Sequence, residues 1–128
     1  MGKQIVHVPG LSDALKGVPL SAVTKGGGFV FVSGIPPVDP KTGKLITGDI
    51  AAQTDLCLQN VKLCLEAAGS SLDKVMKCKV LIANCAYFET VNGVYRRYFD
   101  HEPPARTFCT VGSWPWPFDV EVECIALA

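Results

Sequence analysis

The sequence predicts an α/β fold: a mixed β-sheet covered on one face by two amphipathic helices. Three observations carry this. Two segments repeat apolar residues at helical spacing, while several shorter ones alternate or run apolar as strands do. The elements follow the order strands, helix, strand, helix, two strands. Strands such as Phe29, Val30, Phe31, Val32 and Cys124, Ile125, Ala126, Leu127 are apolar on both faces, so the sheet face without helices needs a neighbouring subunit as cover.

Residues 5–8 form a short alternating strand, and 9–19 read as a loop. Strands over 21–25 and 29–33 flank Gly26, Gly27 and Gly28, a hairpin signal. A phosphate loop would open into a helix; this triplet opens into Phe-Val-Phe-Val, so it is a turn. Pro36, Pro37, Pro40 and Gly43 make 34–48 a loop. Residues 49–68 form a helix, because Ile50, Thr54, Cys57, Leu58, Val61, Cys64, Leu65 and Ala68 share one stripe. Gly69 suits the position just past its end. A strand over 75–82 turns Lys77 and Lys79 outward. The second helix spans 87–100, with Phe88, Val91, Tyr95, Tyr98 and Phe99 on its stripe and Asn92 at the stripe's edge. Pro103 and Pro104 stop it. Two last strands, 105–111 and 120–127, surround a turn through Trp114, Pro115, Trp116 and Pro117. The two tryptophans read as loop or subunit packing, with a place on the rim of a site as the alternative.

The 128 residues suit a single domain over 1–128. With 48% apolar and 19% charged residues, the chain is not a disordered tail, and its apolar excess favours an oligomer. Twelve basic residues balance twelve acidic ones, and no basic run exceeds Arg96-Arg97, so no nucleic-acid partner is expected. No apolar run is long enough to cross a membrane, and the N-terminal residues lack a signal-like core. A cytoplasmic location is expected. The six cysteines have no C-x-x-C spacing and no nearby histidine, so they read as reduced, buried small hydrophobes rather than metal ligands. No cofactor fingerprint is visible, and none is expected.

The anomalies are charges inside strands. Arg106 stands just past the Pro103-Pro104 turn in an otherwise mostly apolar strand start. Its planar fork suits a carboxylate, either a ligand's or that of Glu121 or another acid; a solvent-facing edge is also open. Glu121 and Glu123 by themselves read as a solvated face.

Further motifs resemble a known family. Residues 33–43, Ser-Gly-Ile-Pro-Pro-Val-Asp-Pro-Lys-Thr-Gly, are similar to the S-G-x-x-P-x-x-P-x-T-G stretch of the YjgF/RidA family. Asp49, Gln53, Asn60 and residues 65–69 resemble its first helix, and Thr90, Asn92, Tyr95 and Phe99 its second. Pro104-Ala105-Arg106-Thr107 joined to Val122-Glu123-Cys124-Ile125-Ala126 resembles its C-terminal signature. The resemblance implies a chorismate-mutase-like (YjgF-like) fold and a homotrimer with clefts between subunits. It implies cofactor-free hydrolysis of 2-imino acids such as 2-iminobutanoate and 2-iminopropanoate. Within it, Arg106 would bind the substrate carboxylate with help from the Phe108 backbone N–H. Glu121 would orient water or relay protons. Ser33, Gly34 and Asn92 would line or support the cleft. This chain departs from the common pattern twice. Leu20 stands where the family commonly has Tyr, and Phe108 where many deaminating members have Cys, with Cys109 one place later. Both changes make the cleft less polar. They keep open a larger enamine acid of the 2-aminomuconate type, or a trimer that only binds a small carboxylate. An RNA-cleaving or translation-inhibiting role is disfavoured by the neutral charge.

Overall fold

The computed structural model describes residues 2–128 and shows one six-stranded sheet with helices on one face. The strands are β1 (Gln4–Val6), β2 (Val23–Gly26), β3 (Phe29–Ile35), β4 (Val75–Ile82), β5 (Ala105–Thr110) and β6 (Val120–Leu127). Their order across the sheet is β1-β2-β3-β6-β4-β5. Only β4 and β5 run parallel, joined through a helix as a parallel pair requires. The mixed sheet expected from the element order is therefore present.

The long helix α2 (Ile50–Ala67) packs over β3 and β6, and α3 (Phe88–Tyr98) packs beside it. Asp49 caps α2 by accepting the Ala51 N–H at 3.2 Å, and Gly69 takes a φ of 79° just beyond its end. Thr54, Cys57, Leu58, Val61, Cys64 and Leu65 are buried, as the stripe predicts. They meet Val30, Val32, Val80, Val122, Cys124 and Ala126 from the sheet. Buried polar groups tie loops to this core. Gln53 donates to the Gly48 carbonyl at 3.1 Å and to the Asp119 carboxylate at 2.9 Å, and it accepts the Asp119 N–H at 2.9 Å. Asn60 donates to the Val38 carbonyl at 2.7 Å, which holds the proline-rich loop down.

Three expectations need correction. Residues 9–19 are not all loop: Leu11–Ala14 form a short helix, α1, whose Leu11 is fully buried. Gly10 enters it at a φ of 79°, close against the Pro40 carbonyl, a tertiary contact with no local signature. Phe88 does not join the buried stripe of α3 and is exposed; Val94 packs inward instead, beside Val91 and Tyr95. The cysteines are not all buried, because Cys85 and Cys109 are exposed. Cys109 lies opposite Leu81 on the sheet face away from the helices, and Cys85 opens a turn after β4. The other four are buried, and burial alone pushes the Cys64 thiol up to about 12.

Ile5, Phe29, Phe31 and Leu127 are exposed on the open sheet face. This matches the two-sided apolar character read from the strands. Among the described residues no helix is long and apolar enough to cross a membrane.

Candidate functional site

The predicted site residues fall into two groups. The first lies at the outer edge of the sheet, on β5 and α3. Arg106 donates from Nη1 to the Asn92 side-chain oxygen at 2.8 Å. Its guanidinium carbon sits 4.8 Å from the Tyr95 ring centre and 4.9 Å from that of Phe108. Two aromatic faces and one amide therefore hold the fork in place. Phe108 in turn meets the edge of Phe88, with ring centres 4.8 Å apart at 71°. Among the described residues Arg106 forms no ion pair; the pair within 4 Å is His101 with Glu102 at the surface. The sequence left open a bridge from Arg106 to Glu121, and the structure does not form it. A half-buried guanidinium with donors to spare is equipped to take a carboxylate.

Sheet geometry makes this arrangement. The parallel register sets Arg106 opposite Cys78 and Phe108 opposite Val80, so both point toward the helices. Tyr95 and Asn92, three residues apart on α3, meet them there. Sequence reasoning placed Tyr95 on the packing stripe and did not assign it to the site. Its helical spacing from Asn92 was the available signal. The Tyr95 hydroxyl is buried and has no hydrogen-bond partner among the described residues.

The second group surrounds Glu121. A cavity of about 420 Å³ is lined by Leu20, Gly34, Glu121 and a largely apolar wall. Gly34 and Glu121 are in such close contact that a Cβ on residue 34 would overlap the carboxylate. Burial pushes the Glu121 carboxyl above its ordinary value of 4.5, and the charge of Glu123 adds to the shift. Ser33 is next to this cavity in sequence, and its hydroxyl donates to the Ser21 carbonyl at 2.6 Å, so it braces the chain rather than standing free. Trp116 lines the cavity, whereas Trp114 packs on Phe118 with ring centres 4.7 Å apart. Loop packing thus describes Trp114, and Trp116 both stacks on Phe118, with ring centres 6.4 Å apart at 11°, and lines the cavity. Leu45 and Phe118 also line the cavity and were not anticipated, because distant loops bring them there.

The two groups do not meet within one chain. Cys78 is opposite both Arg106 on β5 and Cys124 on β6. Glu121 is three residues from Cys124 on β6, and side chains alternate along a strand. Glu121 and Arg106 therefore point to opposite faces of the sheet.

Comparison with known proteins places this architecture. The chain matches the Endoribonuclease L-PSP family over residues 12–128. It belongs to that family, the YjgF/RidA family. A RutC family protein of Pyrococcus horikoshii is 43% identical over 108 residues, covering 84% of this chain and 86% of its own. The chloroplastic Reactive Intermediate Deaminase A of Arabidopsis thaliana is 36% identical across 84% of this chain, which spans 58% of that longer protein. Among solved structures, E. coli TdcF with bound serine superposes with a TM-score of 0.89 at 33% identity and covers 98% of both chains. The YjgF-like fold expected from the sequence is the fold observed.

Proposed function

We propose that this protein hydrolyses reactive 2-imino or enamine acids to 2-oxo acids and ammonia, at clefts formed between the copies of a homotrimer. The observation that carries the reading is the Arg106 guanidinium, stacked between Tyr95 and Phe108, bonded to Asn92 and paired with no acid among the described residues. The relation to a Reactive Intermediate Deaminase A supports it. Because Arg106 and Glu121 face opposite ways, a site using both takes Arg106 from one copy and Glu121 from its neighbour. The exposed apolar residues Phe29, Phe31 and Leu127 favour such an assembly.

In this scheme Arg106 binds the substrate carboxylate bidentately, assisted by the Phe108 backbone N–H. Water adds to the electrophilic imine carbon as Glu121 accepts one of its protons. That proton passes to nitrogen to give the carbinolamine; Glu121 then takes the carbinolamine hydroxyl proton and delivers it to the amino nitrogen, so the C–N bond breaks and ammonia leaves as the carbonyl forms. The raised pKa of Glu121, caused by burial and by the charge of Glu123, makes it a stronger base than an ordinary carboxylate and suits a group that must both accept and return a proton. Positioning and one acid–base group suffice for an already reactive imine.

The serine bound to TdcF favours a second reading, in which this chain binds a small amino or imino acid without turnover. One experiment separates the two. Imines are generated by an amino-acid oxidase in the presence of semicarbazide, and 2-oxo acid formation is followed. The deaminase reading expects the protein to outcompete the trap. It expects Arg106→Ala and Arg106→Lys each to lose at least about a hundredfold in kcat/KM, since Lys lacks the fork. It expects Glu121→Gln to lose turnover while still binding the 2-oxo acid. Binding without any acceleration by the wild type establishes the second reading.

A further inference from the structure

The cavity beside Glu121 is larger and more apolar than a small imino acid needs. Its volume is about 420 Å³, within the range of pockets for sizeable ligands. Leu15, Val18, Leu20, Leu45, Trp116 and Phe118 supply its large apolar side chains, and among the described residues Glu121 is the one ionisable residue lining it. A methyl or ethyl side chain would leave most of that wall unfilled. On the other half of the site, Phe108 and the exposed Phe88 pack edge to face beside Arg106 and continue the aromatic surface.

We propose that the substrates are 2-imino acids whose side chain is large and apolar, either aromatic or a branched alkyl group, and that this cavity holds the side chain. The inference rests on the deaminase reading above. In the resulting arrangement Arg106 anchors the carboxylate, Glu121 serves the imine carbon, and the side chain extends from that carbon between Leu45 and Trp116. The gain comes from removing apolar side-chain surface from water in a space that no polar residue but Glu121 enters. Full burial of a leucine- or phenylalanine-sized side chain corresponds to roughly tenfold to a hundredfold in kcat/KM over the alanine-derived imine. An acidic side chain would be rejected, because Glu121 repels it and the apolar wall offers it no partner.

The test generates imines from phenylalanine, leucine and alanine with a broad-specificity amino-acid oxidase, again against semicarbazide, and compares kcat/KM for each. The expected result is a preference of at least about tenfold for the phenylalanine- and leucine-derived imines. Leu45→Trp, which fills the cavity from its wall, is expected to reduce that preference about tenfold. Trp116→Ala, at a half-exposed position, is expected to reduce it as well by opening the wall, with melting curves confirming that the variant folds. If the alanine-derived imine is handled as well as the larger ones, or if both folded variants keep the wild-type preference, the side-chain pocket is refuted and the deaminase reading stands. That is also the result expected if a neighbouring copy fills the cavity. If no imine is consumed, both inferences fall.

Discussion

Subunit complementation tests the arrangement most directly. Arg106 and Glu121 point to opposite faces of one sheet, through the register that links Arg106, Cys78 and Cys124 and the three-residue step from Cys124 to Glu121. A cleft that needs both must draw them from two copies. Arg106→Ala and Glu121→Gln are then each inactive alone, because every cleft lacks one partner. In a closed ring assembled at random from equal amounts of the two variants, a cleft is intact only when an Arg-bearing copy precedes a Glu-bearing one. Each choice has odds of one half, so about a quarter of wild-type activity returns. A control sharpens the count. The double variant mixed equally with wild type retains about a quarter if the cleft spans two copies, but about half if each chain holds its own site. The two single variants are co-refolded, subunit mixing is verified with differently tagged chains, and imine hydrolysis is measured against semicarbazide. If verified mixtures are no more active than their components, the shared cleft is refuted.

Further outcomes follow from the geometry. Gly34→Ala places a methyl group where the Glu121 carboxylate lies, so the side chain must swing away; kcat is expected to fall at least about tenfold while thermal stability changes little, checked by paired kinetics and melting curves. Glu121 has a folded-state pKa raised by burial and by Glu123, so the folded chain holds its proton more tightly than the unfolded chain does. Its favourable contribution is fully present below the unfolded carboxyl's value and is lost as pH rises through the raised folded value. Glu121→Gln is therefore expected to gain stability relative to wild type as pH rises through that window, read from urea melts at a series of pH values. Gln53→Leu removes three hydrogen bonds and strands the Gly48 carbonyl and the Asp119 N–H; a loss of about 2–4 kcal/mol in urea unfolding is expected.

The elements were legible in the sequence because their signals are local. The stripe from Thr54 to Leu65 has helical period whatever lies around it, and it is the face that packs on the sheet. The two-sided apolar character of Phe29 to Val32 likewise announced an exposed apolar sheet face. Phe88 shows where periodicity runs out: it falls on the arc of the α3 stripe, but at the first residue of the helix it lies beyond the covering core and contacts Phe108 instead.

By itself the sequence determined the two long helices, most of the strand positions, the turn nature of the glycine triplet, and the presence of a strand arginine whose fork suits a carboxylate. Motif resemblance added the family and a set of site residues. The tertiary structure alone decided how those residues divide. Strand register puts Arg106 under Tyr95 and Asn92 on one face and Glu121 beside Gly34 on the other. Loop packing gathers Leu20, Leu45, Trp116 and Phe118, far apart in the chain, around one cavity. The reason is physical. A period of 2 or 3.6 is written in neighbouring residues, whereas register and cavity shape depend on contacts between segments whose separation along the chain carries no such record.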